Sequence, residues 1–150
     1  MSAGGRRGPF WDGIEGRAPI PRAAATLGFE LIAVDPAQGT IEVAFAATEA
    51  FTNPTGNVLG AFVAAMLYDT MGPALLATLD GDQFQSTLSI TVNFLHPVRP
   101  GRLVGKGRVV RRDGDLASLE GSLLDGQGAL IATATATAAV IPLARARSAV

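Results

Sequence analysis

The chain has 150 residues, enough for one domain with its own hydrophobic core, and 48% of them are hydrophobic. Its 12 Lys and Arg residues balance 13 Asp and Glu residues, and no basic run or helix-turn-helix pattern appears. Both observations argue against nucleic acid as a partner. Cysteine is absent, which excludes disulfides, thiolate metal sites and cysteine nucleophiles.

The first ten residues lack the apolar segment of a secretory signal. The longest apolar segment, from Leu59 to Leu79, is interrupted by polar residues and by Pro73, which a membrane span would not tolerate without partners. We therefore expect a soluble, cytoplasmic protein that does not enter the membrane.

Composition divides the chain into three parts. Residues 1–26, rich in Gly, Arg and Pro, are predicted to form a flexible N-terminal extension. In it, Phe10 and Trp11 are expected to dock on the domain body, the alternative being a flap over a ligand site. Residues 27–142 form the predicted domain, and residues 143–150 form a C-terminal tail.

The first half of the domain predicts a hairpin followed by one long helix. Segments Phe29–Val34 and Thr40–Ala47 alternate apolar and polar residues around a turn at residues 35–39. A helix from Gly60 to Leu79 is apolar nearly all round, so most of its surface should be buried. Pro73 is expected to kink it after Met71.

The second half predicts four strands. The first carries Phe84, Leu88, Ile90, Val92 and Phe94 on one face, and Gln85, Thr87, Ser89, Thr91 and Asn93 on the other. The remaining three form a meander over residues 103–112, 116–124 and 129–142. A six-stranded antiparallel sheet curled round one helix, an α+β fold, satisfies this order. Its remaining apolar surface predicts a dimer.

The segment from Asn53 to Ala74 is the functional lead. A loop broken by Pro54 and Gly56 runs directly into the apolar helix. The first amides of a helix have no intrahelical partner, so they are suited to hold an oxygen atom. The helix also carries a lone carboxylate, Asp69, which needs a reason because an unpaired buried charge is costly.

These motifs, in this order, resemble the hotdog-fold thioesterases of the phenylacetate-degradation and 4-hydroxybenzoyl-CoA type over about residues 27–142. Asn53 and Gly56 match the family loop Asn-x-x-Gly-x-x-His/Gln-Gly-Gly, and the segment from Phe94 to Gly101 matches a later Phe-Leu-Arg-Pro-type motif. Three positions depart from the pattern. Leu59 stands at the His/Gln position, Ala61 replaces the second glycine, and Tyr68 occupies the position of the catalytic acid, with Asp69 one residue further on.

The resemblance implies hydrolysis of an acyl-CoA thioester, with an aryl or medium-chain acyl group, to a free acid and CoA. Coenzyme A is then part of the substrate, and no other cofactor is expected. The implied assembly is a homodimer or homotetramer. The alternatives are a non-catalytic acyl-CoA or aromatic-ligand binding protein on the same fold, favoured by Tyr68, and a purely structural oligomer.

By the same resemblance, the amide of Gly60 or Ala61 holds the thioester oxygen, the alternative being that Gly60 only permits a tight entry from the loop into the helix. The side-chain amide of Asn53 binds the same carbonyl, although a simple turn role suits this residue equally well. Asp69, supplied by the partner's helix, acts as general base or nucleophile, the alternative being a carboxylate satisfied at the dimer interface. Tyr68 orients substrate or water, or only packs.

The remaining candidates lie further along the chain. Thr70 is a candidate substrate-binding residue or bonds within its helix. Arg111 and Arg112 are candidates for the CoA phosphates, the alternative being a solvated sheet edge. His96, the only histidine, is expected to face solvent, and the residue set offers no metal site.

Overall fold

Six strands pair in one antiparallel sheet around a single long helix. The computed structural model describes residues 5–150. Its elements are α1 (Pro9–Ile14), α2 (Arg22–Thr26), β1 (Glu30–Asp35), β2 (Thr40–Ala47), α3 (Gly60–Leu76), β3 (Gln83–Phe94), β4 (Gly101–Asp113), β5 (Leu116–Leu124) and β6 (Leu130–Pro142), with short 3-10 helices at Glu49–Phe51 and Leu143–Ser148. Across the described residues no helix is long and apolar enough to cross a membrane.

The strand order across the sheet is β1-β2-β4-β5-β6-β3, with every neighbouring pair antiparallel. The predicted β1–β2 hairpin and the β4–β5–β6 meander are both present. After α3 the chain enters the sheet at the far edge as β3, so β1 and β3 are the two edge strands. The predicted α+β arrangement, a helix wrapped by six antiparallel strands, is confirmed.

Small residues on the sheet let α3 approach closely. Thr70 and Met71 are buried on the face of α3 that contacts the sheet. A side chain at Gly107 would meet the Thr70 carbonyl oxygen at 3.0 Å, and one at Gly121 would meet Met71 Cγ at 2.9 Å. A larger residue would require the helix backbone to shift at Thr70 or the side chain of Met71 to move. The close contact between α3 and the sheet therefore depends on Gly107 opposite Thr70 and Gly121 opposite Met71.

The helix is three residues shorter than predicted. It ends at Leu76, and the following N–H groups of Thr78 and Leu79 donate to the carbonyls three residues earlier, at 2.9 and 3.2 Å. The Thr78 hydroxyl also donates to the Leu75 carbonyl at 2.6 Å, and this bond competes with a further helical hydrogen bond to that carbonyl. Pro73 lies inside α3, and helical structure continues past it to Leu76.

The predicted faces of β3 are wrong over its first half. The pairing with β6 shifts between Thr87 and Ser89, which leaves Leu88 as the extra residue of a β-bulge. A bulge reverses the alternation, so Gln85 faces the helix, with Nε2 close to Gly72, while Leu88 is 59% exposed. Periodicity could not reveal this, because one inserted residue has no sequence signature of its own.

The N-terminal segment is anchored on the body. Phe10 and Trp11 of α1 are buried in the core, and Trp11 Nε1 donates to the Ala77 carbonyl at 3.1 Å. This confirms the expected docking of the Phe-Trp pair. Residues 1–4 of the predicted flexible extension lie outside the described residues, and the boundaries of the extension, domain and tail stay predictions.

Candidate active site

The loop between β2 and α3 is organised by the side chain of Asn53. Its Oδ1 accepts hydrogen bonds from Thr55 N at 3.0 Å, Thr55 Oγ1 at 2.7 Å and Asn57 N at 3.1 Å. Three donors around Oδ1 fix the orientation of the amide group. The Nδ2 amino group therefore remains as the donor that this side chain can offer to a ligand. The turn role and the donor role of Asn53 are thus compatible.

Helix α3 begins at the end of this loop with free backbone donors. Gly60 is its first residue, preceded by Leu59 at φ −59° and ψ 137°. Among the described residues, the N–H groups of Gly60 and Ala61 donate to no backbone or side-chain acceptor. They form the partially positive end of the helix dipole, where an oxygen with developing negative charge is stabilised.

A cavity of about 270 Å³ opens at this junction. It brings together Asn53 and Gly60, the predicted pair of donors. Its other walls are largely apolar: Val58, Val63, Phe94, Leu95, Pro97, Val98 and Ile131. Few polar groups in a mainly apolar cavity are typical of a small-molecule site, in which the polar groups set orientation.

Two residues that follow β3 were not predicted as site residues: His96, which lines the cavity, and Arg99, which contacts the loop beside it. His96 is exposed, as expected, but it also forms part of the cavity wall, with Nδ1 3.1 Å from the Leu130 carbonyl oxygen. Because a carbonyl only accepts, Nδ1 carries the proton in the neutral ring and Nε2 is an acceptor. Arg99 donates to the Thr55 carbonyl of the loop. Both belong to the Phe94–Gly101 motif, which was the available signal.

Asp69 and Tyr68 are half-buried in the middle of α3, whereas the next residue, Thr70, is fully buried. Asp69 Oδ2 and the Tyr68 hydroxyl oxygen are both shielded from solvent, and neither has a hydrogen-bond partner among residues 5–150. Burial raises the pKa of Asp69 from 3.8 to about 6. A carboxyl group with a burial-perturbed pKa and an unpartnered oxygen is a candidate for function.

The acid and the amide donors do not meet within one chain. Asp69 lies nine residues beyond Gly60, which corresponds to roughly 13.5 Å along an α-helix. Neither Asp69 nor Tyr68 lines the 270 Å³ cavity. The structure therefore brings together Asn53 and Gly60 and leaves the candidate acids at mid-helix.

The other candidates are also placed apart from the cavity. Thr70 is fully buried against β4, and its hydroxyl donates to the Met66 carbonyl at 2.7 Å, so the structure favours the helix-bonding alternative. Ala61 is exposed in the first turn of α3. Arg111 pairs with Asp113 at 2.8 Å, and both arginines lie near the distal end of β4, roughly 35 Å along the strand from Gly101.

A larger cavity of about 670 Å³ lies on the outer face of the sheet. It is bordered by charged side chains of both signs, including Glu42, Lys106, Arg108 and Glu120, with Arg108 hydrogen-bonded to Glu120. None of the predicted site residues lines it. Within residues 5–150 no three His, Asp or Glu side chains gather as a potential metal site.

Solved structures share this fold. A phenylacetic acid degradation-related protein from Ralstonia eutropha JMP134 aligns with a TM-score of 0.84 and 40% identity, covering 87% of this chain and 98% of its own. A thioesterase family protein from Silicibacter pomeroyi aligns with a TM-score of 0.78 and 25% identity, covering 89% and 96%. The E. coli PaaI protein from the phenylacetic acid degradation operon, at 16% identity and a TM-score of 0.77 over 89% and 94%, is similar in fold alone.

The sheet wrapped around one central helix, together with these neighbours, defines a hotdog-fold protein of the thioesterase class. Residues 48–139 match the acyl-CoA thioesterase N-terminal domain family. The chain therefore belongs to the acyl-CoA thioesterase family. No curated protein matches the sequence significantly.

Proposed function

We propose that this protein hydrolyses an acyl-CoA thioester with an aryl or medium-chain acyl group, releasing the free acid and CoA. The observation that carries the proposal is the cavity at the start of α3. It combines the free N–H of Gly60 and the Nδ2 of Asn53 with a largely apolar wall. Phe94 lies against Gly60, so an acyl group bound at the donors would contact this ring.

The two donors would act on the thioester carbonyl. As a nucleophile adds, negative charge develops on the carbonyl oxygen, and fixed donors stabilise it more than they stabilise the substrate. The Gly60 N–H is held by the helix and the Asn53 amide by its three hydrogen bonds. Both are therefore organised before the substrate arrives.

The acid would come from a second copy of the chain. Because about 13.5 Å separates Asp69 from Gly60, we assign the catalytic carboxylate to the partner's helix in a homodimer. Two such dimers would form a homotetramer. The edge strand β3 is the proposed contact. It has sheet hydrogen bonds on one side and carries exposed apolar residues, including Leu88 and Phe94.

The proposed reaction begins with water attacking the carbonyl carbon while the Asp69 carboxylate takes one of its protons. The tetrahedral intermediate keeps its oxyanion on Gly60 and Asn53. Collapse breaks the carbon–sulfur bond, and the leaving thiolate takes the proton back from Asp69. Alternatively, the Asp69 carboxylate attacks the carbonyl carbon itself, and the carbon–sulfur bond breaks to release the CoA thiolate. Water then hydrolyses the resulting mixed anhydride, which regenerates Asp69, and the proton that this step releases converts the thiolate to the thiol. Label in Asp69 after a single turnover in labelled water would establish the nucleophilic route, because general-base catalysis leaves both Asp69 oxygens in place.

The rest of the substrate would extend away from the cavity. We propose that the pantetheine follows a groove between subunits and that Arg111 and Arg112 meet the CoA phosphates, no further cofactor being needed. Both arginines are exposed, although Arg111 would first give up its ion pair with Asp113. An exposed ion pair is weak, so its replacement by phosphate costs little. The proposed location of the enzyme is the cytoplasm.

Thiol release from a panel of aryl- and medium-chain acyl-CoAs tests the function. We expect turnover of at least one member by the wild-type protein. The rival function is non-catalytic binding of an acyl-CoA or aromatic ligand, which is favoured because Tyr68 stands at the position where the family has an acid. Its buried hydroxyl oxygen has no partner among residues 5–150. Binding without turnover across the whole panel would support the rival.

Leu88→Lys is expected to weaken the proposed dimer. The substitution puts a charge on the contact strand. Burying this charge in the dimer without an opposite charge would raise the dimer Kd by at least about 10-fold. Ile32→Lys is the matched control, because Ile32 is the 43% exposed bulge residue of the opposite edge strand. Light scattering across a dilution series measures both variants. Equal dimer stability in the two would exclude β3 as the contact.

A further inference from the structure

Residues 98 and 99 hold the loop that carries Asn53. The Val58 N–H donates to the Val98 carbonyl at 2.8 Å, and Arg99 Nη1 donates to the Thr55 carbonyl at 3.0 Å, across 44 positions in sequence. Two successive residues of the β3–β4 connection thus bond to both ends of the turn at residues 55–58. The loop is tied to the sheet and not only to itself.

The guanidinium of Arg99 also occupies a space that only glycine leaves open. Gly56 has φ +84°, which disfavours any side chain, and a Cβ there would collide with Arg99 Nη1. Arg99 forms no ion pair within 4.0 Å among the described residues, so no carboxylate competes for this contact. The glycine and the arginine therefore fit each other at the outer side of the loop.

The bond from Arg99 reaches Asn53 through one residue. The Thr55 carbonyl accepts from Arg99, and the N–H and the hydroxyl of Thr55 both donate to Asn53 Oδ1. Displacing Thr55 would remove two of the three donors that fix the Asn53 amide. The direction of Nδ2 would then be free to change, because amide orientation is set by the hydrogen bonds around it.

We propose that Arg99 is a positioning residue, which acts through Thr55 to hold the Nδ2 donor of Asn53 at the thioester carbonyl. This inference rests on the proposed function, since it assigns Arg99 a task in the same site. Fixed donors contribute to catalysis because they need no reorganisation as charge develops. Arg99 should therefore affect kcat more than KM.

Arg99→Ala is the test. We expect kcat to fall roughly 10-fold with KM nearly unchanged, the size being that of one exposed charge-assisted hydrogen bond. Added guanidinium should restore part of the lost kcat, and Arg99→Lys, which keeps a donor without the planar fork, should lie between. Arg147→Ala, an exposed arginine of the C-terminal 3-10 helix, is the matched control and should keep wild-type kinetics.

Hydrogen exchange provides a readout that does not depend on activity. The amides of Gly56 and Asn57, both bonded to Asn53, should exchange faster in Arg99→Ala than in Arg147→Ala. Unchanged exchange in Arg99→Ala would overturn the proposal. Faster exchange with unchanged kcat in Arg99→Ala would also overturn it, provided that Asn53→Ala lowers kcat. Unchanged kcat in Asn53→Ala itself would instead remove Asn53 from the proposed function, and the positioning role with it.

Discussion

Asp69→Asn is expected to lower kcat for acyl-CoA hydrolysis by about 100- to 10,000-fold, the range that a general base contributes. The substitution keeps the size of the side chain and removes its ability to take a proton. Burial raises the pKa of Asp69 to about 6, so the carboxylate is mostly ionised near pH 7 and still basic enough to accept a proton. Steady-state thiol release at pH 7.5 measures the effect.

The unfolding free energy separates this loss from misfolding. The pKa of Asp69 rises from 3.8 to about 6 on folding, so its stabilising contribution is present below about pH 4 and is lost as pH rises through 6. Asparagine does not ionise, so Asp69→Asn should be more stable than wild type at pH 7.5, by up to about 3 kcal/mol. The gain should shrink towards pH 4.5 in urea unfolding at matched protein concentration.

Tyr68→Phe is the matched control for the choice of acid. It removes one hydroxyl from the residue that occupies the family's acid position, and we expect a smaller loss of kcat than in Asp69→Asn. Full activity in Asp69→Asn, with Tyr68→Phe inactive, would transfer the catalytic role to the phenol.

Gly60→Pro is expected to lower kcat by about 100- to 1000-fold, the cost of losing one oxyanion donor. Proline removes the backbone N–H, and the first position of a helix is where it is best tolerated. The preceding residue, Leu59, already has the extended conformation that proline requires, with φ −59° and ψ 137°. The helix should therefore remain intact while the donor is lost.

Gly60→Ala isolates the N–H from the added bulk. Alanine keeps the donor, and its Cβ would lie 3.3 Å from the ring of Phe94, which is 58% exposed and free to shift. We expect activity near that of wild type, within a few-fold. Equal losses in the proline and alanine variants would assign the effect to crowding of Phe94, and full activity in Gly60→Pro would move the oxyanion role to Ala61.

Local patterns predicted most of the fold. Alternation located the β1–β2 hairpin and the meander, because each strand buries one face and its turns carry Gly and Asp. The bulge at Leu88 was not predicted, because the position of the unpaired residue depends on how β3 pairs with β6. The end of α3 at Leu76 was not predicted either, because it depends on the Thr78 hydroxyl, which competes for the Leu75 carbonyl.

The site residues were likewise predicted only in part. Asn53 and Gly60 were predicted from a loop that runs into a helix, and both line the 270 Å³ cavity. The place of His96 in the cavity wall and the contact of Arg99 with the Asn53 loop were not predicted, because their hydrogen bonds to Leu130 and Thr55 connect residues more than 30 positions apart. No periodicity reports such contacts.

The sequence by itself determined the arrangement of strands around one buried helix and the free amides at the start of that helix. These are properties of local chemistry: alternation, helix termini and small residues. Only the tertiary structure decided which residues share a cavity with Gly60, and that neither Asp69 nor Tyr68 is among them. The reason is physical, since a cavity is formed where distant segments pack.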